Sequence, residues 1–315
     1  MEHKRLIPPY SGPPEAFPDS RELPDGVRSV RLADDMGCRV RFLPDIPYAR
    51  RSGETQLLHL LLPWDPHHPE NTFPLVVYIQ GSAWHRQEIF EHLPHMIRVC
   101  EEGFAVAMVE YRPSDIAPFP AQIQDAKSAI RFLRIHAEEY SVDGDRIAVW
   151  GDSSGGHTAL MTGITGDREI DPELYGEVSC DVRCVVDWYG PTDIASMNEY
   201  PSAMDHNQPD SPEGYLIGRK NVLENPELAA RTVPMHYLRR DIPTPPILIL
   251  HGSRDPLVCF HQSCMLYEKL RALDKPVEMY KLEGAFNGAG GFNSHQALKI
   301  CVEFLSRYLK EDSKT

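Results

Sequence analysis

Three segments of this chain hold residues that could do chemistry together: Gly151-Asp152-Ser153-Ser154-Gly155, Gln80-Gly81-Ser82-Ala83-Trp84, and the run Pro246 to Val258 containing Asp255. The first is a G-x-S-x-G pattern, followed by a third small residue, Gly156. A serine with glycines two residues before and after it suits a turn so tight that its hydroxyl is pushed outward. Placed between a strand and a helix, that hydroxyl faces the helix N-terminus, whose N–H groups and positive dipole end favour a developing oxyanion. The chemistry is acyl transfer: Ser153 attacks an ester, holds the acyl group, and water releases it. Read without chemistry, the same residues form a Gly-Ser turn linking a strand to a helix.

The second segment places small residues just after an apolar run, which leaves backbone N–H groups open to a ligand. Two or three such donors stabilise a tetrahedral oxyanion by about 3–4 kcal/mol per key donor. The N–H groups of Ser82, Ala83 and Ser154 are the candidates; the plain alternative is a strand-ending turn. Asp255 lies 102 residues after Ser153, in the chain order Ser…Asp…His expected when a carboxylate orients a histidine base. Its alternative role is to cap a turn before Pro256.

These residues need a scaffold, and the chain alternates in the way that provides one. Thr55–Leu62, Phe73–Gln80, Phe104–Glu110, Arg146–Trp150, Val182–Tyr189, Pro246–Leu250 and Val277–Lys281 read as strands. Several are short continuous apolar runs, as strands buried on both faces require. Ile89–Glu102, interrupted near Pro94, Ala121–Glu138, Ser154 to about Thr165, Gln262–Leu273 and Ser294–Leu309 read as helices. In the clearest, Ile123, Ala126, Ile130, Leu133 and Ala137 share one face. Alternating strands and helices predict an α/β fold with a mostly parallel sheet covered on both faces. Residues 1–26 read as an extended N-terminal arm rich in proline, and 27–315 as a single domain. The stretch from about 194 to 241 breaks the rhythm and reads as a lid-like insertion over the carboxyl edge of the sheet, or as a surface excursion with no binding role.

With 315 residues and 42% of them apolar, a sizeable core is available. The net charge of −14 argues against nucleic acid and anionic membrane surfaces as partners. No apolar run has the length of a membrane span, and the N-terminus lacks an apolar leader core, so a soluble, cytoplasmic protein is expected. The seven cysteines include no C-x2-C pair, and free buried thiols without a metal are the expectation. Oligomer formation is left open.

Taken together, Gln80–Trp84, Tyr111-Arg112, Phe119–Lys127 with Asp125, Gly151–His157, Tyr189–Asp193 and His251–Val258 resemble the α/β-hydrolase esterases of the hormone-sensitive-lipase and feruloyl- or acetyl-esterase type. The likeness extends from about residue 70 to 310. It implies an α/β-hydrolase fold and hydrolysis of small carboxylic esters, acetyl or aromatic acyl groups on sugars among them. It implies no metal or organic cofactor.

One piece departs from that pattern. The family places its catalytic histidine in Gly-Ala-x-His-Gly before the last helix; here the stretch is Gly284-Ala285-Phe286-Asn287-Gly288. Asparagine cannot take up a proton near neutral pH. Three readings stand. The protein is a crippled hydrolase or a hydrolase-fold ligand-binding protein. Alternatively His295, eight residues further on, is the base, although Ser294 looks like a helix N-cap that makes His295 an ordinary first-turn residue. Or another histidine approaches in space, with His157 expected to point away along its helix and His251 expected to be structural. A peptidase of related fold is a further alternative within enzymes.

Overall fold

The computed structural model describes residues 8–13, 16–20, 24–30, 39–64, 68, 70–288 and 291–310. Eight strands form one sheet: β1 (Arg39–Arg51), β2 (Glu54–Trp64), β3 (Phe73–Ile79), β4 (Ala105–Val109), β5 (Val142–Asp152), β6 (Cys184–Trp188), β7 (Ile247–Gly252) and β8 (Val277–Leu282). Their spatial order is β1-β2-β4-β3-β5-β6-β7-β8. β1 pairs antiparallel with β2, and β2 antiparallel with β4; the remaining neighbours are parallel.

The apolar runs become the central strands because both of their faces are covered. Along β3 and β4, Val76, Tyr78, Val106 and Met108 turn to one side. There they pack with Trp150 and Trp188 against α1 (Leu93–Glu101) and α7 (His295–Leu309). Their neighbours Leu75, Val77, Ala105 and Ala107 turn to the other side and meet α2 (Ala121–Ile135). Val149, Val185, Ile247 and Ile249 continue that side against α3 (Ser154–Thr165) and α6 (His261–Ala272). Period two in the strands and steps of three and four in the helices thus close two apolar layers. Burying each large side chain contributes roughly 1.5–3 kcal/mol.

Two elements differ from expectation. β1 has no clean alternation: Pro44 and Pro47 interrupt it, and its register against β2 shifts between Leu43 and Ile46 and again between Pro47 and Ala49. Pairing with β2 makes it a strand, as an edge position tolerates proline. The helix expected over Ile89–Glu102 begins only at Leu93, with Pro94 in its first turn rather than interrupting it. That placement leaves no intrahelical N–H bond to lose.

Contacts divide the chain into two units, Met1–Gly37 and Cys38–Thr315, so the boundary falls later than proline content alone suggests. Within the first unit the Tyr10 and Phe17 rings meet edge to face at 5.1 Å. In the second, the inserted segment carries α4 (Pro212–Leu216), α5 (Pro226–Arg231) and two 3-10 turns. It packs on the carboxyl end of the sheet through a cluster of Trp84, Ile194, Leu216, Ile217, Val222 and Ala229. Cys180, Cys184, Cys259 and Cys301 are free and buried, Cys264 is free and half-buried, and Cys100 is buried; Cys38 lies outside the described residues. Among the described residues no helix is long and apolar enough to cross a membrane.

Candidate active site

β5 ends at Asp152 and α3 begins at Ser154, so Ser153 is the whole connection. Its φ of 51° and ψ of −126° are costly for a residue with a side chain. The neighbours enforce them. A Cβ on Gly151 would stand 2.1 Å from the Gly155 carbonyl oxygen, and one on Gly155 would stand 2.0 Å from the Ile79 carbonyl oxygen. No side chain fits at either position, and the turn closes on the sheet. The Ser153 N–H donates to Trp188 O at 2.8 Å, and Ser153 O accepts the first bond of α3 from His157 N at 3.1 Å.

Asp152 anchors the turn from below. Its Oδ1 accepts from Tyr78 Oη at 2.6 Å and from Gly81 N at 3.0 Å. Burial, reinforced by this carboxylate, pushes the Tyr78 phenol well above its ordinary range, so it stays protonated and donating. Gly81 N thereby ties the β3 exit to the β5 exit.

The β3 exit then makes a strained turn in which Ala83 (φ 55°) and Trp84 (φ 56°) are both left-handed. Of the three amides expected at the oxyanion position, one is already committed. Ser82 N donates to Ser154 Oγ at 2.9 Å, because the first side chain of α3 folds back across the gap. Its own hydroxyl donates to His85 O at 2.6 Å and meets Tyr111 Oη at 2.8 Å. The amides of Ala83 and Ser154 have no hydrogen-bond partner among the described residues. Tyr111 is brought there by its neighbour Arg112, whose backbone N and Nε reach the buried Asp125 at 2.8 and 2.9 Å.

Asp255 follows β7, and its side chain is fully buried. Its Oδ1 accepts from Leu257 N and Val258 N, each at 2.9 Å, and its Oδ2 accepts from Asn287 Nδ2 at 3.0 Å. The turn-capping contacts fall on Oδ1, and Oδ2 meets an asparagine where the expectation was a histidine base. The side chain it orients is Asn287.

The three histidines weighed from the sequence do not replace it. His295 is exposed at the start of α7, with Nδ1 2.7 Å from Arg98 on α1. Ser294 caps that helix by accepting from Ala297 N. The expectation that His295 serves as a fallback base is therefore corrected: the cap fixes the helix start, and the imidazole turns toward α1 instead of the cavity beside Ser153. His157 is buried, with Nε2 2.7 Å from Thr232 O, and burial pushes it down to about 4. His251 is held by Ser263 Oγ at 2.7 Å and Val258 O at 2.8 Å, a structural role that braces the Asp255 loop. Among the described residues Ser153 Oγ has no hydrogen-bond partner.

Ser153 borders a cavity of about 50 Å³ together with Ala83, Trp84, Ser154 and Leu257. The segment between β6 and β7 adds Met204, His206 and Glu213 to the lining of the same cavity. Sequence reasoning missed His206 and Glu213. They lie in a polar, proline-rich stretch with no periodicity, and nothing in their spacing shows that they meet. Tyr189 was quoted only within the Tyr189–Asp193 match. It is buried behind the turn, and burial with nearby Asp152 pushes its phenol well above the ordinary range.

Comparison with known proteins places this geometry. Esterase LipQ of Mycobacterium tuberculosis is 28% identical over 273 residues, covering 83% of this chain and 61% of its own length. Esterase LipC of the same organism is 28% identical over 225 residues, covering 70% and 54%. The chain thus spans a little over half the length of these curated relatives. A truncated form of a carbohydrate esterase from gut microbiota is 29% identical with a TM-score of 0.75, covering 89% of this chain and 99% of that one. An esterase of Thermogutta terrifontis, at 23% identity and TM-score 0.68, shares the fold over 89% of this chain and 98% of its own. The model of the BD-FAE family matches residues 63–270, a span that holds both the Ser153 turn and Asp255. With its α/β-hydrolase sheet and that match, the chain belongs to the BD-FAE family.

Proposed function

We propose that the protein is a carboxylic-ester hydrolase in which Ser153 accepts the acyl group, with Asn287 in place of the imidazole that would make the reaction fast. The observation that carries this reading is the strained Ser153 turn on the wall of a small cavity, beside two unengaged amides, Ala83 and Ser154. A carbonyl carbon bound at Ser153 would place its oxygen against those amides, where the negative charge of the tetrahedral intermediate develops. The cavity volume of about 50 Å³ suits an acetyl or similarly small acyl group. Carbohydrate as the alcohol side is suggested by the gut carbohydrate esterase. The serine mechanism needs no metal or organic cofactor.

A second reading is favoured by one bond. Asn287 satisfies Asp255 as a histidine N–H would, yet cannot accept a proton, which suits a site that holds an ester without turning it over. Hydrolysis of p-nitrophenyl acetate by purified protein separates the two. Turnover abolished by Ser153→Ala supports the hydrolase. Equal rates in parent and Ser153→Ala would place any activity elsewhere.

A further inference from the structure

The cavity beside Ser153 contains an imidazole that the β8–α7 loop lacks. His206 comes from the insertion, is 2% exposed, and lines the cavity with Ser153. Its Nδ1 lies 3.0 Å from Glu213 Oε1, and both side chains are buried. The contact is close but off the line of a formed hydrogen bond, since Nδ1 and Glu213 Oε2 both remain without hydrogen-bond partners. On the other side, His206 Nε2 lies 2.8 Å from Ser202 Oγ. A carboxylate at Nδ1 with a hydroxyl at Nε2 is the connectivity by which a histidine is fixed in one tautomer and made a proton acceptor.

We propose that His206, oriented by Glu213, is the general base for Ser153, entering from the insertion because the usual base position holds Asn287. This inference rests on the reading of Ser153 as an acyl-accepting nucleophile.

Three observations favour it over a purely structural pair. First, His206 and Ser153 border one small cavity, and its volume of about 50 Å³ exceeds the ~10–15 Å³ needed for a bridging water. Second, Nε2 can be released: Ser202 Oγ has alternative acceptors at Pro256 O (3.2 Å) and Leu257 O (3.3 Å), so its hydroxyl can turn away without losing a partner. Third, a buried imidazole and carboxylate with polar atoms still unpartnered are costly for a lid that only needs to pack. The carboxylates facing this imidazole are Glu213 from α4 and the exposed Asp205 beside it.

The step balances as follows. Ser153 Oγ bonds to the ester carbonyl carbon while its proton passes to His206 Nε2, directly or through one cavity water. The bond from that carbon to the alcohol oxygen then breaks as Nε2 returns the proton to the leaving oxygen. A water, deprotonated by Nε2, then bonds to the acyl carbon, and the bond from that carbon to Ser153 Oγ breaks as Nε2 returns the proton to Oγ, releasing the acid.

The test compares the parent, Ser153→Ala, His206→Asn, Glu213→Gln, Asn287→His and the double variant His206→Asn/Asn287→His on p-nitrophenyl acetate across pH. The expected result is Ser153-dependent turnover that falls by about a hundredfold or more in His206→Asn. Glu213→Gln should lower kcat by a smaller factor with KM little changed, because the imidazole loses the carboxylate that orients it. The double variant should recover the rate of Asn287→His alone, showing that the pocket survives loss of His206. Turnover in His206→Asn close to the parent's, with an unchanged pH profile, overturns the proposal. So does an inactive double variant beside an active Asn287→His, which would make His206 a packing residue. A parent without Ser153-dependent turnover in which Asn287→His creates it also removes His206 as base, while leaving the Ser153 site standing. Indifference to both Ser153→Ala and Asn287→His instead sinks the Ser153 reading, and the role of His206 with it.

Discussion

Around Ser153 backbone crowds backbone: a Cβ on Gly155 would meet Ile79 O at 2.0 Å, and one on Gly151 would meet Gly155 O at 2.1 Å. Around Asn287 the chain is open. Gly284 and Gly288 have positive φ with nothing within 4 Å of an added Cβ, and Phe286 between them is exposed. The loop is held at a few points, by Gly284 N on Ser253 Oγ, Arg254 N on Ala285 O and Asn287 on Asp255. The difference shows which parts of the candidate site folding protects. The Ser153 turn is part of the sheet's packing, so its residue types are tied to stability. Among the described residues the side chain of residue 287 makes one hydrogen bond, to Asp255, and an asparagine amide supplies the N–H for it. A proton acceptor can therefore be absent here without disturbing the structure.

The largest effect should come from the open side. Asn287→His places an imidazole against Asp255, and the Ser153-dependent rate on p-nitrophenyl acetate should rise about a thousandfold or more. Thermal melts should scarcely change, since the loop has room. No gain in rate would mean that the loop does not face the nucleophile as proposed.

The crowded side should respond in the opposite manner. Gly155→Ala should destabilise by about 3 kcal/mol or more, because the new Cβ meets backbone that cannot yield. Denaturant unfolding measures this. A loss below about 1 kcal/mol would show that the turn is looser than its contacts indicate.

A third test uses the charges under the turn. Asp187 is buried against it, its Oδ1 2.4 Å from where a Gly156 Cβ would lie, and burial pushes its carboxyl up to about 8. Between about pH 4 and 8 the folded protein keeps a proton that the unfolded chain has lost, so stability falls as pH rises. His157, pushed down to about 4 by burial, acts in the opposite sense, adding stability as pH rises from about 4 to 6.5. The two offset each other up to about pH 6.5 and leave a net fall of about 2 kcal/mol from there to pH 8. Melts at these two pH values should show that fall in the parent and not in Asp187→Asn. Parallel behaviour of the two proteins would reassign it.

The smallest effect belongs to the cap beyond the open loop. Ser294→Ala removes the acceptor for Ala297 N and should cost about 1 kcal/mol of stability. Activity should be untouched, which would separate the start of α7 from the chemistry.

Much of this comparison was legible beforehand. The G-x-S-x-G glycines, the apolar strand runs and the helix faces announce themselves because each depends on local spacing. β1 did not, since two prolines and two register shifts hide its alternation, and only its pairing with β2 defines it. The proposed oxyanion donors could be read as a segment but not amide by amide: that Ser82 N is committed to Ser154 Oγ depends on how two chain segments approach.

Local order therefore lay in the residues themselves: which segments alternate, where the turn must be tight, and that position 287 carries no proton acceptor. The tertiary structure alone decided which distant side chains share the cavity. His206 and Glu213 meet beside Ser153, and His295 faces Arg98, because an insertion and a helix cap fold where packing sends them. Contacts between segments far apart in the chain leave no period or spacing in either segment to be read.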